Sequence, residues 1–138
     1  MTNERELAKA AILARENAYS PYSNFMVGAA LLAKSGKVYS GANIENAAYS
    51  PAICGERSAF AAAASNGERE FEAIAVAGWA KGDGDPTGAF PCGVCRQVMM
   101  EFCDPETFTI LIVKSEDEYT PYLLKELLPH GFGPLDLK

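Results

Sequence analysis

Basic residues are scarce in this sequence. Twelve Lys and Arg stand against eighteen Asp and Glu, a net charge of −6, and no basic cluster breaks the pattern. That is the wrong sign for gripping a phosphate backbone by counterion release, so no nucleic acid polymer is expected as a partner, and a small neutral substrate is compatible. Long apolar runs are also missing. None approaches the roughly 20 residues that a membrane span needs, and Met1 to Glu6 are polar and charged, so a soluble, cytoplasmic protein without a membrane partner is expected. Cysteine is limited to four residues, and with no secretory leader read at the start this is no secreted disulfide framework; a Cys-x-x-Cys among them points to metal or redox chemistry. Repeats, linkers and low-complexity stretches are lacking too. With 138 residues, 49% of them hydrophobic, the chain is sized for one domain spanning 1–138.

Within that frame the apolar periodicity alternates. Leu7, Ala10, Ala11, Ala14 and Ala18 recur at helical spacing behind the capping candidates Thr2 and Asn3, predicting a helix over 3–18 that stops at Ser20-Pro21-Tyr22-Ser23. Phe25 to Ala33 and Lys37 to Ile44 read as strands joined by the turn Lys34-Ser35-Gly36, an antiparallel hairpin. Ala-rich Ile53 to Ser65 is a helix stopped by Asn66-Gly67, and Phe71 to Trp79 is an apolar strand. Lys81 to Phe90 is a Gly-, Asp- and Pro-rich loop; Pro91 then opens a helix to about Phe102. Phe108 to Val113 is a strand, Tyr122 to Leu128 a short final helix, and Pro129 to Lys138 a tail. Alternating strands and helices require crossovers, so a three-layer α/β/α domain with a mixed, partly parallel sheet is expected.

Two predicted helices begin with thiols: Cys54-Gly55-Glu56 opens one and Pro91-Cys92-Gly93-Val94-Cys95 the other. Residues of a first helical turn can converge on an ion just beyond the helix end, because Cβ atoms lean toward the N-terminus. Three thiolates are one ligand fewer than a closed structural zinc site. Cys103 fails as a fourth, since eight residues further along the helix is about 12 Å of rise. The lone His130 lies in the Gly-rich tail, where a surface role suits it better, although geometry alone leaves it open. With water as the fourth ligand, Zn2+ activates it and the carboxylate of Glu56 serves as general base and acid. Ligand-x-Glu followed by Pro-Cys-x-x-Cys resembles the signature of zinc deaminases. Cys-x-x-Cys alone also serves non-catalytic zinc and redox modules, in which Glu56 would be idle.

The sequence resembles the small homotetrameric cytidine deaminases over nearly its whole length. The resemblance is carried by Ser20-Pro-Tyr-Ser-Asn-Phe25, Asn43-Ile-Glu45-Asn46-Ala-Ala-Tyr49, Cys54-Gly-Glu-Arg57, Pro91-Cys-Gly-Val-Cys-Arg96-Gln97 and Leu127-Leu-Pro-His-Gly-Phe132-Gly-Pro. Two departures, Gly55 and Val94 where that family usually has Ala, replace no ligand and touch only local packing. The resemblance implies a zinc-dependent hydrolysis of cytidine and 2'-deoxycytidine to uridine and 2'-deoxyuridine in pyrimidine salvage, with Cys54, Cys92 and Cys95 on the metal. It also implies that Phe25 stacks near the base, that Asn43 and Glu45 bind ribose hydroxyls, and that Phe132 completes a neighbour's pocket. Two residues apart at a strand end, Asn43 and Glu45 share a face, and a carboxylate there repels a nucleotide phosphate, favouring a nucleoside. Arg57, three residues after Cys54, is placed to donate to thiolates or to be an ordinary surface charge; the resemblance supports the first. A relative acting on a modified cytosine nucleoside such as blasticidin S shares the metal motif, but Asn43 to Tyr49 favours the plain nucleoside.

Overall fold

A computed structural model describes residues 2–82, 86 and 88–138. Asn3 caps α1 (Glu4–Arg15), its side chain accepting from the Glu6 amide at 2.8 Å. The helix is shorter than the periodicity predicts because its end tightens: the amides of Glu16, Asn17 and Ala18 each bond three residues back instead of four. β1 (Phe25–Ala33) and β2 (Val38–Ala42) form the expected hairpin, with Gly36 at φ 94° in the turn. α2 (Gly55–Ser65), β3 (Phe71–Ala80), α3 (Gly93–Phe102) and β4 (Thr109–Val113) follow as predicted to within two residues. Residues 83–85 and 87 of the expected loop Lys81–Phe90 lie outside the described residues.

The predicted final helix needs correction. Residues Tyr119–Leu123 form β5, an edge strand antiparallel to β4, and only Leu124–Leu127 turn into a short α4. Pro121 has no amide to donate to a ladder, which an edge strand with one neighbour tolerates.

The sheet order is β2-β1-β3-β4-β5, parallel between β3 and β4 and antiparallel elsewhere. Strand alternation sorts side chains onto two faces. Ala30, Leu32, Ala75, Ala77, Leu111 and Val113 face α1 through Leu7, Ala8 and Ala11. Ala29, Leu31, Ile74, Val76, Ile110 and Ile112 face Phe60 of α2 and Met99 of α3. This is the three-layer mixed α/β/α architecture that the alternation predicts. Among the described residues no helix is long and apolar enough to cross a membrane.

Two glycines set the helices close to the sheet. A Cβ at Gly28 would overlap Ala11 O and Arg15 N, and one at Gly41 would overlap Ala59 N and approach Gly55 O at 2.6 Å. Their bare backbones let α1 rest on β1 and α2 on β2. Phe25 pairs with Ala80 and Ala42 with Gly28, so the start of β1 and the ends of β2 and β3 share one edge of the sheet, toward which α2 begins.

Candidate active site

Cys54 and Cys92 are the N-caps of α2 and α3, and neither side chain makes a capping hydrogen bond. The thiols are turned to one another instead. Cys54 Sγ lies 3.7 Å from Cys92 Sγ, which lies 3.6 Å from Cys95 Sγ, and all three are within 4.8 Å of each other. No disulfide joins them. Three sulfurs each about 2.3 Å from a tetrahedral zinc are themselves about 3.8 Å apart, so the donor set and its spacing fit Zn2+. Among the described residues this is the one group of three or more potential ligands. Cys103 is buried in the core at the far end of α3 and outside the group, as is exposed His130.

The electrostatics suit a metal. Hydrogen bonding from the Cys95 thiol holds Cys54 down at about 5, Arg57 and Cys92 acting in the same sense against burial. Cys95 is pushed up, first by sharing its proton with Cys54 and then by burial. Arg57 Nη2 donates to Cys54 Sγ at 3.4 Å, and its Nε is buried without a partner among the described residues. Glu56, the next residue on α2, is only 3% exposed. Burial pushes its carboxyl up to about 7, the negative charge at Cys54 adding to the shift. Its Oε1 is buried with no hydrogen-bond partner among the described residues. A stranded carboxylate oxygen is expensive in a folded chain and marks a position held for a ligand.

Glu56 lines a cavity of about 300 Å³ together with Cys54, Cys92, Arg57, Phe25, Asn43 and Glu45. The structure thus brings together every sequence-derived site residue except Phe132; Cys95 belongs to the thiol cluster but is buried and does not line the cavity. Phe25 is partly exposed rather than in the core. Asn43 bridges to β1, its Oδ1 accepting from Val27 N at 2.9 Å and its Nδ2 donating to Phe25 O at 2.8 Å. Glu45 accepts from the amides of Tyr22 and Ser23 at 2.9 and 3.2 Å and from Ser23 Oγ at 2.5 Å. Phe132 is 58% exposed and does not line the cavity of its own chain; its carbonyl accepts from Gln97 Nε2 at 2.8 Å. An added Cβ at Gly55 meets Val27 O at 3.1 Å and Val94 points outward, so both departures are matters of local packing.

The sequence reading missed Ser23 and Phe90. Ser23 also lines the cavity, and Phe90 lines it while packing edge-on against Tyr122 at 5.3 Å. The signal for Phe90 was its position immediately before Pro91-Cys92. Nothing in the periodicity singled out Ser23.

Comparisons with known proteins agree with the geometry. The family model for the cytidine and deoxycytidylate deaminase zinc-binding region matches residues 1–111. A cytidine deaminase from Sporosarcina psychrophila is 45% identical over 124 residues, covering 90% of this chain and 87% of the relative. One from Halalkalibacterium halodurans is 46% identical over 131 residues, covering 95% of each. The crystal structure of cytidine deaminase from Burkholderia pseudomallei superposes with a TM-score of 0.84 at 44% identity, covering 96% of this chain and 100% of that one. The chain belongs to the cytidine and deoxycytidylate deaminase family, whose zinc-binding region it carries.

Proposed function

We propose that this protein is a cytidine deaminase, converting cytidine and 2'-deoxycytidine with one water to uridine or 2'-deoxyuridine and ammonia, in one domain spanning residues 1–138. The observation that carries this reading is the buried, unpartnered Glu56 beside three thiols spaced for zinc, at the wall of a nucleoside-sized cavity. Cys54, Cys92 and Cys95 hold the metal. Zinc in this site supplies Lewis-acid activation of water.

The remaining chemistry belongs to the chain. Hydrolytic loss of an amine from C4 needs a group that takes one proton from water and gives it to N3, then takes the second from the new C4 hydroxyl and gives it to the departing amine. A carboxyl at about 7 does both at neutral pH without a large penalty in either direction. Closed off from bulk solvent, Glu56 returns protons to the substrate instead of losing them. Phe25 offers a face for the base. Asn43 keeps one N–H and Glu45 keeps acceptor capacity beyond their protein bonds, enough to share sugar hydroxyls. The charge of Glu45 disfavours a nucleotide phosphate nearby. Exposed Phe132, away from its own cavity, fits a homotetramer in which it stacks in a neighbour's pocket. A nucleoside substrate fits a cytoplasmic role in pyrimidine salvage.

The test is to add cytidine to the zinc-loaded protein and follow its absorbance together with released ammonia. Equimolar uridine and ammonia are expected. A zinc-loaded protein that leaves cytidine intact overturns the reading.

A further inference from the structure

The two ligand-bearing helices begin without side-chain caps, because their N-cap thiols face the metal position. Something else must fix the direction from which each chain segment arrives. Before Cys54 this is a backbone bridge: Ile44 and Ile53 exchange amide-carbonyl bonds of 2.9 and 3.0 Å. Before Cys92 no such bridge forms among the described residues. There the segment is held by Arg96, whose Nε donates to the carbonyl of buried Pro91 at 2.7 Å, while its Nη1 donates to Leu127 O at the end of α4. One guanidinium therefore ties the peptide immediately before a metal ligand to the C-terminal segment. Gln97 reinforces the same junction by holding Phe132 O.

We propose that Arg96 is a positioning residue for the metal site, doing for Cys92 what the Ile44–Ile53 bridge does for Cys54. The inference rests on the zinc reading above. A guanidinium suits the task because its planar fork presents several rigidly related donors, so one side chain satisfies the carbonyls of both Pro91 and Leu127, from segments far apart in the sequence. Without it, the unpinned Pro91–Cys92 peptide samples other directions, and the Cys92 thiolate spends less time at the spacing zinc requires. Outer partners of this kind tune metal affinity about 10- to 100-fold. Lysine retains the charge but offers a single ammonium on a flexible stem, so charge and geometry are separable.

The experiment measures zinc release to a chromogenic chelator, and the thiolate-to-metal bands of the cobalt-substituted protein, in wild type, Arg96→Met and Arg96→Lys. Arg69→Met is the control, since Arg69 makes comparable bonds to Ala64 O and Glu68 O remote from the site. Release about 10- to 100-fold faster with altered cobalt bands is expected in Arg96→Met, a smaller change of the same sign in Arg96→Lys, and wild-type behaviour in the control. Wild-type release and spectrum in Arg96→Met overturn the proposal, as does an equal acceleration in Arg69→Met, which would make the effect one of general stability. If Arg96→Met does not fold, Arg96→Lys decides, and wild-type release in it overturns the proposal. A wild-type protein that binds neither zinc nor cobalt overturns the zinc reading itself, and this inference with it.

Discussion

Arg57 Nη2 stands 3.4 Å from Cys54 Sγ, placing a fixed positive charge one helical turn along from a metal-facing thiol. Three thiolates outweigh a divalent cation by one negative charge, and the start of α2 offsets only part of it. Arg57 is the side chain positioned to offset the rest. Arg57→Gln is expected to retain one zinc per chain while lowering kcat about tenfold or more. Turnover equal to wild type would make Arg57 a packing residue only.

Ser23 Oγ donates to Glu45 and holds its carboxyl below the usual range, with the Tyr22 and Ser23 amides adding to the effect. A depressed carboxyl contributes stability that is present above its unfolded pKa and lost as pH falls through its folded one. Ser23→Ala is expected to raise the Glu45 titration toward the ordinary glutamate value, read by carboxyl carbon NMR. An unchanged titration removes Ser23 as its principal cause.

Glu45 holds the turn at Tyr22–Ser23 and faces the cavity, but has no part in the proton transfers assigned to Glu56. Glu45→Gln keeps an acceptor and loses the charge. It is expected to raise KM for cytidine about tenfold or more, with kcat at saturation changed far less. A collapsed kcat at unchanged KM contradicts a sugar-binding role.

The arrangement of these residues shows where sequence was informative. Cys54 with Glu56, and Cys92 with Cys95, were legible as candidates because each pair is closely spaced on a helix start, while the meeting of the two pairs depends on the fold that sets α2 beside α3. The hairpin, α2 and β3 were legible because turn chemistry and apolar period agree. β5 was not: Tyr119–Leu123 is an exposed edge with Pro121 inside it, and its strand character comes from pairing with β4. Ser23 and Arg96 stand inside motifs that the sequence offers, but their roles were hidden, since Glu45 and Leu127 lie 22 and 31 residues away and leave no periodic trace.

Phe132 is exposed and lies outside its own chain's cavity, held through its backbone by Gln97. If it stacks in a neighbour's pocket, Phe132→Ala raises KM about three- to tenfold while the melting temperature of the fold barely moves. Light scattering on the wild type is expected to give four chains. A fully active monomer contradicts the shared pocket.

Glu56 carries the central claim, being buried, unpartnered and raised to about 7 beside the thiol cluster. Glu56→Gln preserves its shape and removes the carboxyl that accepts and returns protons. The decisive measurement is cytidine-to-uridine turnover by wild type and Glu56→Gln, each first shown to hold one zinc per chain. A loss of about 100-fold to 10,000-fold in kcat at full zinc content is the predicted result, and turnover near wild type in the variant would contradict the account.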